Sequence, residues 1–351
     1  MKNSNRRSFV KNLGIGSLAA IGATSATTAA NPATASAAAA NAIPASSGRK
    51  IWVATMTMHK MDGNTCEEIV QAAVKQMQKA LPYKPDIICL PEAFHILAIR
   101  GKRPSVTETA ENGSGNLTRP FQEFARKNNC YAIVPLYSKE GNRYHNTAFL
   151  IDRRGEIVGK YHKIRTTTGE MKNGISPGPL DPPVFKTDFG TIGIQTCFDI
   201  EWLDGWRRLR EKGAELVFWP SAFAGGKLVN TMAWLNKFAV VSSTAKDTAK
   251  ICDITGEELA ASGLYDSWGV CAELNLEKAF LHSYPYYEQF PAIQAKYGQK
   301  VRIRTLHEEE FSIIESLSPD VKVADIMKEF NLKTHEEHLH IAEIQQRQHW
   351  M

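Results

Sequence analysis

The sequence has no Cys-x-x-Cys pair, no internal repeat and little net charge, and small polar residues interrupt its N-terminal apolar stretch. Without paired cysteines, a structural zinc site of that kind has no ligands. The formal net charge is +5, and Lys2, Arg6, Arg7 and Lys11 supply much of it with no acid among them. The rest of the chain is nearly balanced, which argues against a dedicated nucleic-acid binder. The stretch from Leu13 to Ala30 is too rich in Gly, Ser and Thr to make a good transmembrane helix. What is present, 43% hydrophobic and 23% charged residues over 351 positions, is the composition of a soluble globular protein with ample core. That length holds roughly two average domains or one large α/β domain.

Residues 1–45 read as a leader and not as fold. Asn5-Arg6-Arg7-Ser8-Phe9-Val10-Lys11 resembles the twin-arginine export signal, and the weakly apolar stretch and an Ala/Thr/Ser-rich tract follow it. Small-x-small sites such as Ala33-Thr34-Ala35 or Ala38-Ala39-Ala40 offer cleavage points, and the lack of cysteine here argues against a lipoprotein anchor. The resemblance implies export by the twin-arginine translocase to the periplasm or the extracellular space. Six cysteines in an exported chain would ordinarily suggest disulfides. Here Cys89 lies within Asp86-Ile-Ile-Cys-Leu90, and Cys130 opens Tyr131-Ala-Ile-Val134; both are core-strand patterns. The twin-arginine route carries proteins already folded in a reducing compartment, so free buried thiols are compatible with it. Cys66, Cys252 and Cys271 stay undecided.

The chain from residue 50 alternates strand and helix patterns. Lys50 to Thr55 reads as a strand, and Cys66 to Leu81 has apolar positions at helical spacing, ending before Pro82. Asp86 to Leu90 is near-continuously apolar, as in a sheet covered on both faces, and runs into Pro91-Glu92. A polar loop over 101–118 precedes a helix from Pro120 to Lys127. Cys130 to Tyr137 and Tyr144 to Ile151 form a hairpin-like pair around Gly141, and Glu156 to Tyr161 leads to Lys163. A long polar loop, Arg165 to Pro183, contains Glu170. Further strands are read at Ile192–Ile194, Glu215–Trp219, Ala239–Ser243 and Trp268–Leu274, with helices at Leu203–Lys212 and Val229–Phe238. This alternation predicts a mixed α/β fold. From about residue 281 the texture changes, and 323–346 reads as one charged helical segment with Ile326, Met327, Phe330 and Leu332 on one side. The expected organisation is therefore a leader at 1–45, a catalytic domain at 46–280 and an extension at 281–351 that packs on the domain or on a partner subunit.

The chemistry centres on Thr191-Ile-Gly-Ile-Gln-Thr-Cys197-Phe-Asp-Ile-Glu-Trp202. A thiol at a strand's C-terminal end, facing a helix N-terminus, meets a positive dipole and free N–H groups. Both lower a cysteine pKa and supply oxyanion donors. Glu92 and Lys163 stand just beyond other strand ends. Glu92 would take the thiol proton and pass it to the leaving amine, and Lys163 would stabilise thiolate and oxyanion. The backbone N–H of Phe198 is a second oxyanion donor candidate, and Glu170 would orient Lys163 or the hydrolytic water. Taken singly, each residue has an ordinary structural explanation; the combination points to attack on a carbonyl or nitrile carbon.

Over about residues 50–276 the chain resembles the nitrilase superfamily, the carbon–nitrogen hydrolases. Leu90-Pro-Glu92-Ala-Phe94, Gly159-Lys-Tyr-His-Lys163 and Gly193-Ile-Gln-Thr-Cys197-Phe-Asp199 match its three motifs in order, with His162 where Arg is common. Gly213 to Ser221, Tyr144-His-Asn-Thr-Ala148 and Asp253-Ile-Thr-Gly256 are similar to further landmarks. The resemblance implies an α-β-β-α sandwich, Glu92 as base, Lys163 as oxyanion stabiliser and Cys197 as nucleophile, with Glu170 matching the family's second glutamate. It also implies a homodimer or larger assembly, a small-molecule amide substrate, and no metal or organic cofactor. Ile200-Glu201-Trp202 departs from the Arg-Phe-Pro-Glu that many relatives carry, and nothing carries over to 281–351. Phe198-Asp199 falls on the amide or N-carbamoyl side of the family, whereas the seven-residue gap from Lys163 to Glu170 also occurs among nitrilases. Two rival readings are a metallohydrolase built on His335, His338 and His340, whose spacing does not fit a zincin helix, and a catalytically silent binding protein on the same fold. The lack of transmembrane helices sets aside the membrane-bound acyltransferase branch.

Overall fold

The computed structural model describes residues 49–350. The leader, with its twin-arginine motif, lies outside the described residues. In chain order the strands are β1 (Lys50–Met56), β2 (Ile87–Cys89), β3 (Tyr131–Glu140), β4 (Arg143–Ile151), β5 (Ile157–His162), β6 (Val184–Lys186), β7 (Thr191–Ile194) and β8 (Leu216–Ser221). They continue with β9 (Ala239–Thr244), β10 (Lys250–Cys252), β11 (Glu258–Ala261), β12 (Gly269–Asn275), β13 (Lys278–His282), β14 (Val301–Leu306) and β15 (Phe311–Ser316).

The apolar runs of the short strands explain the layering. In β2, Ile87 and Cys89 point to one side and Ile88 to the other; in β3, Tyr131 and Ile133 oppose Ala132 and Val134. Both faces of the sheet are therefore buried, which is why these strands lack polar alternation. One face meets a second sheet through Ile192, Ile194, Leu216, Phe218 and Val241. The other is covered by the helices Cys66–Met77 and Arg119–Asn128 through Ile69, Ala73, Met77, Phe121 and Ala125. The second sheet's outer face takes the helices Leu203–Glu211 and Lys227–Asn236 through Trp206, Leu209, Val229 and Met232. The result is the α-β-β-α sandwich.

The sheets run β12-β1-β2-β3-β4-β5 and β11-β10-β9-β8-β7-β6. In each, the central pairs are parallel (β1 with β2, β2 with β3; β7 with β8, β8 with β9) and the flanking pairs antiparallel. Parallel neighbours aim their C-terminal ends the same way, so the residues after β7 and β8 emerge on one side of their sheet.

Several elements differ from the sequence reading. The first helix passes through a 3₁₀ segment, Gln78–Tyr83, that contains Pro82, where the pattern predicted an end before proline. The loop over 101–118 holds a helical turn, Val106–Thr109, whose Ser105 and Glu108 form a reciprocal cap. The polar loop after Lys163 holds the helix Thr168–Lys172. The region from 281 was read without strands, yet β13, β15 and β14 form an antiparallel sheet in that order. Its first strand straddles residue 281, and its alternation is short and diluted by Arg302 and Arg304, so periodicity did not expose it. The segment read as one helix is two, Val323–Glu329 and His335–Arg347, separated where Asn331 takes a left-handed φ.

This third sheet packs on the sandwich. Asn275 Nδ2 donates to Ser316 O at 2.8 Å, and Lys278 pairs with Asp253 at 2.8 Å. Lys237 places its ammonium over the rings of Trp234, Phe280 and Phe311 at 4.0, 4.3 and 5.1 Å. His335 meets Phe280 and Phe311 edge-on, and His338 stacks on His282 at 5.0 Å. Two of the three histidines on that helix thus pack on rings. Among the described residues, no group of three or more His, Cys, Asp or Glu side chains is arranged to hold a metal ion, and no helix is long and apolar enough to cross a membrane. All six cysteines are free thiols.

Candidate active site

Glu92 follows β2 after Leu90-Pro91, and Ala93 turns the chain at once with a left-handed φ of 43°. The Glu92 side chain is buried at 3% exposure. Its carboxylate accepts from Lys163 Nζ at 2.7 Å and from Asn146 Nδ2 at 2.8 Å on Oε1, and from the Ala222 N–H at 2.8 Å on Oε2.

Lys163 is the first residue after β5 and is fixed by its N–H bonding to Asn146 O at 2.8 Å. It is 1% exposed, and its ammonium is held between two carboxylates, Glu92 at 2.7 Å and Glu170 Oε2 at 2.8 Å. Burial alone would favour the neutral amine. The charges of Glu92 and Glu170 outweigh it and hold the Lys163 pKa well above the usual lysine value. The ammonium therefore stays charged through the neutral range.

Glu170 sits in the first turn of Thr168–Lys172, in a capping box with Thr167. Its N–H donates to Thr167 Oγ1 at 3.2 Å, while its Oε2 accepts the Thr167 N–H at 2.8 Å. Burial pushes its carboxyl up, but Lys163, Asn146 and the Thr167 N–H more than offset this and hold it below the usual range.

Cys197 is the third residue after β7 and opens a 3₁₀ turn, Cys197–Glu201, with a φ of 49°. A non-glycine residue in this region is uncommon and is held there only by its surroundings, here by Trp219 Nε1 donating to Cys197 O at 3.0 Å. The thiol does not have the lowered pKa read from the sequence. Burial and then the Glu92 charge push it up to about 12, against the opposing pull of Lys163 and the Ala222 N–H. The α-helix that was to supply the dipole starts only at Leu203, after the 3₁₀ turn. Cys197 is therefore a thiol at rest, beside a carboxylate that can take its proton. Phe198, next in the turn, lies edge-on to Trp202 with centroids 4.9 Å apart.

The fold thus gathers Glu92, Lys163, Glu170 and Cys197 from four separate strand ends and loops. Two contributors escaped the sequence reading. Asn146, on β4, bridges both glutamates, donating to Glu92 and to Glu170 Oε1 at 2.8 Å each. Its motif, Tyr144 to Ala148, was visible, but no role followed from it. The Ala222 N–H is a backbone donor just past β8, and no side-chain signal could reveal it.

A cavity of about 1450 Å³ is walled by residues from 64–67, 96–117 and 172–175, and none of Glu92, Lys163, Glu170 or Cys197 lines it. Tyr137 also lines the cavity, and its phenol is pushed up to about 12 by burial and by the charges of Glu170 and Glu92.

The family model described as carbon–nitrogen hydrolase matches residues 53–251. β-Ureidopropionase of Arabidopsis thaliana is 32% identical over 147 residues, covering 40% of this chain and 36% of that protein. Deaminated glutathione amidase of Mus musculus is 27% identical over 238 residues, 61% of this chain and 70% of its own length. The chain thus spans little more than a third of the plant relative. Among solved structures, an amidase from Nesterenkonia sp. superposes with a TM-score of 0.55 at 20% identity, covering 67% of this chain and 92% of that one. That likeness speaks to the fold.

Proposed function

This chain belongs to the carbon–nitrogen hydrolase family, and on that premise we propose that it cleaves the non-peptide C–N bond of a small or medium linear amide through a Cys197 acyl-enzyme. The observation that carries the reading is the buried Glu92–Lys163–Glu170 array with the buried Cys197 thiol beside it. Glu92 removes the thiol proton as sulfur attacks the carbonyl carbon. The oxyanion forms beside the Lys163 ammonium and the Phe198 N–H. Glu92 returns the proton to nitrogen, ammonia or an amine leaves, and water hydrolyses the thioester with Glu92 again as base. Glu170 and Asn146 keep Lys163 and Glu92 in register. The likeness to a β-ureidopropionase favours an N-carbamoyl compound as the second reading.

The test is an ammonia-release screen of the mature protein against linear amides, N-carbamoyl compounds and nitriles. Amide or carbamoyl turnover is expected, and Cys197→Ala should lose at least a thousandfold of it while keeping the fold. Release from nitriles well above every amide would overturn the subclass, and a loss under tenfold in folded Cys197→Ala would remove the nucleophile. The same proposal includes export by the twin-arginine route and a homodimer or larger assembly, supported by Arg6-Arg7 and by the family resemblance. Changing Arg6 and Arg7 to Lys should retain the protein in the cytoplasm.

A further inference from the structure

The two halves of the site belong to different sheets. Glu92, Asn146 and Lys163 come from the sheet containing β2, β4 and β5, whereas Cys197 and Ala222 come from the sheet containing β7 and β8. Something must fix the sulfur against the ammonium across that boundary. Asp199, two residues after the cysteine and 1% exposed, bonds to both sides. Its Oδ2 accepts from the Tyr161 hydroxyl at 2.6 Å and from the Thr196 N–H at 2.7 Å, and its Oδ1 accepts from the Arg165 N–H at 2.7 Å. Tyr161 and Arg165 stand two residues before and two residues after Lys163. Thr196 is the residue before Cys197. One carboxylate therefore ties residues on both sides of the lysine, Tyr161 through its hydroxyl and Arg165 through its backbone N–H, to the turn that presents the thiol. The clamp is itself anchored, because Trp206 Nε1 donates to Asp199 O at 3.2 Å.

We propose that Asp199 is a positioning residue that sets the Cys197 sulfur against Lys163 across the two sheets. The inference rests on the catalytic reading above. The arrangement is more than a filled core position. Burial would expel a carboxylate that had no cation bonded to it, and it pushes the Asp199 carboxyl up to about 6. Two backbone N–H donors and a hydroxyl hold the anion in place despite that cost. Asparagine cannot reproduce the clamp, because its NH₂ would face one of those N–H donors. Tyr161→Phe, by contrast, removes a single arm and leaves both backbone bonds.

The experiment measures alkylation of Cys197 by iodoacetamide across pH, read on the Cys197 peptide by mass spectrometry, alongside kcat and KM on an amide the wild type hydrolyses. Asp199→Asn should shift the alkylation profile by about one pH unit or more. It should also lower kcat at least a hundredfold, with KM within about threefold. Tyr161→Phe should move both readouts the same way by a smaller amount, about tenfold in kcat. Circular dichroism confirms folding, and Tyr161→Phe decides alone if Asp199→Asn does not fold. A superimposable alkylation profile in the deciding variant, or a loss confined to KM, would overturn the proposal. Because alkylation needs no substrate, failure of the amide reading leaves this test intact.

Discussion

At the level of single residues, the site works by balancing burial against charge. Lys163 is nearly inaccessible yet cationic because Glu92 and Glu170 flank it, and Cys197 stays protonated because burial and Glu92 outweigh the lysine. In the proposed mechanism, a resting thiol next to a fixed carboxylate makes proton transfer part of the attack on substrate. Asn146 is the joint of this arrangement, since its NH₂ group holds one oxygen of each glutamate. Asn146→Ala should reduce kcat about ten- to a hundredfold by letting Glu92 drift from its working position. Asn146→Asp should be worse, because it sets a third carboxylate among two buried ones. Steady-state kinetics on the identified amide would check the order, and an unimpaired Asn146→Ala would remove Asn146 from the mechanism.

At the level of elements, the decisive pieces are short. The helix Thr168–Lys172 is only five residues long and buries no residue fully, so packing does little to hold it. Its capping box does that work, and the same Glu170 carboxylate that closes the box also contacts Lys163. Thr167→Ala should cost about 1 kcal/mol of local stability and lower kcat/KM several-fold as Glu170 loosens. Thr167→Ser, which keeps the hydroxyl, should behave like the wild type. Equal kinetics for the Ala and Ser variants would separate the cap from catalysis. The 3₁₀ turn Cys197–Glu201 plays the corresponding part on the other sheet, where Asp199 and Trp219 hold a strained cysteine in place.

At the level of the whole molecule, the sandwich contains a built-in acid sensitivity. His95 is fully buried between Phe94 and Tyr137, with the Tyr137 N–H donating to its Nε2 at 3.4 Å. Burial lowers its pKa from 6.5 to about 3. The sign follows from linkage: the folded state keeps the ring neutral while the unfolded chain protonates near 6.5. The contribution of His95 is therefore fully present above about pH 6.5 and is lost as pH falls from there toward 3. Between pH 6.5 and 4.5 the wild type should lose about 2 kcal/mol more than His95→Gln. Urea denaturation at the two pH values checks this, and parallel losses would show that His95 is not the sensor. The third sheet adds a second seam, closed by Lys237 over three aromatic rings and by Lys278 against Asp253.

The sequence alone determined the family and the alternation that builds two layered sheets, and it singled out Glu92, Lys163 and Cys197 as candidates that the fold then brings together. Each of these rests on local pattern: apolar runs buried on both faces, and motifs placed at strand ends. Glu170 was also legible, though not the small helix that holds it, because a five-residue element with no buried face has no periodicity to read. Tertiary structure alone decided the rest. The thiol's protonation state depends on a carboxylate more than a hundred positions earlier in the chain. The joint at Asn146 exists only once β4 lies near the segments that follow β2 and β5, and the donor at Ala222 and the clamp at Asp199 exist only where one sheet meets the other. The strands β13 to β15 emerge only through their pairing with one another, since β-structure draws its stability from distant partners. Local patterns specify elements. The electrostatics of a buried site are set by neighbours that the chain brings together only when it folds.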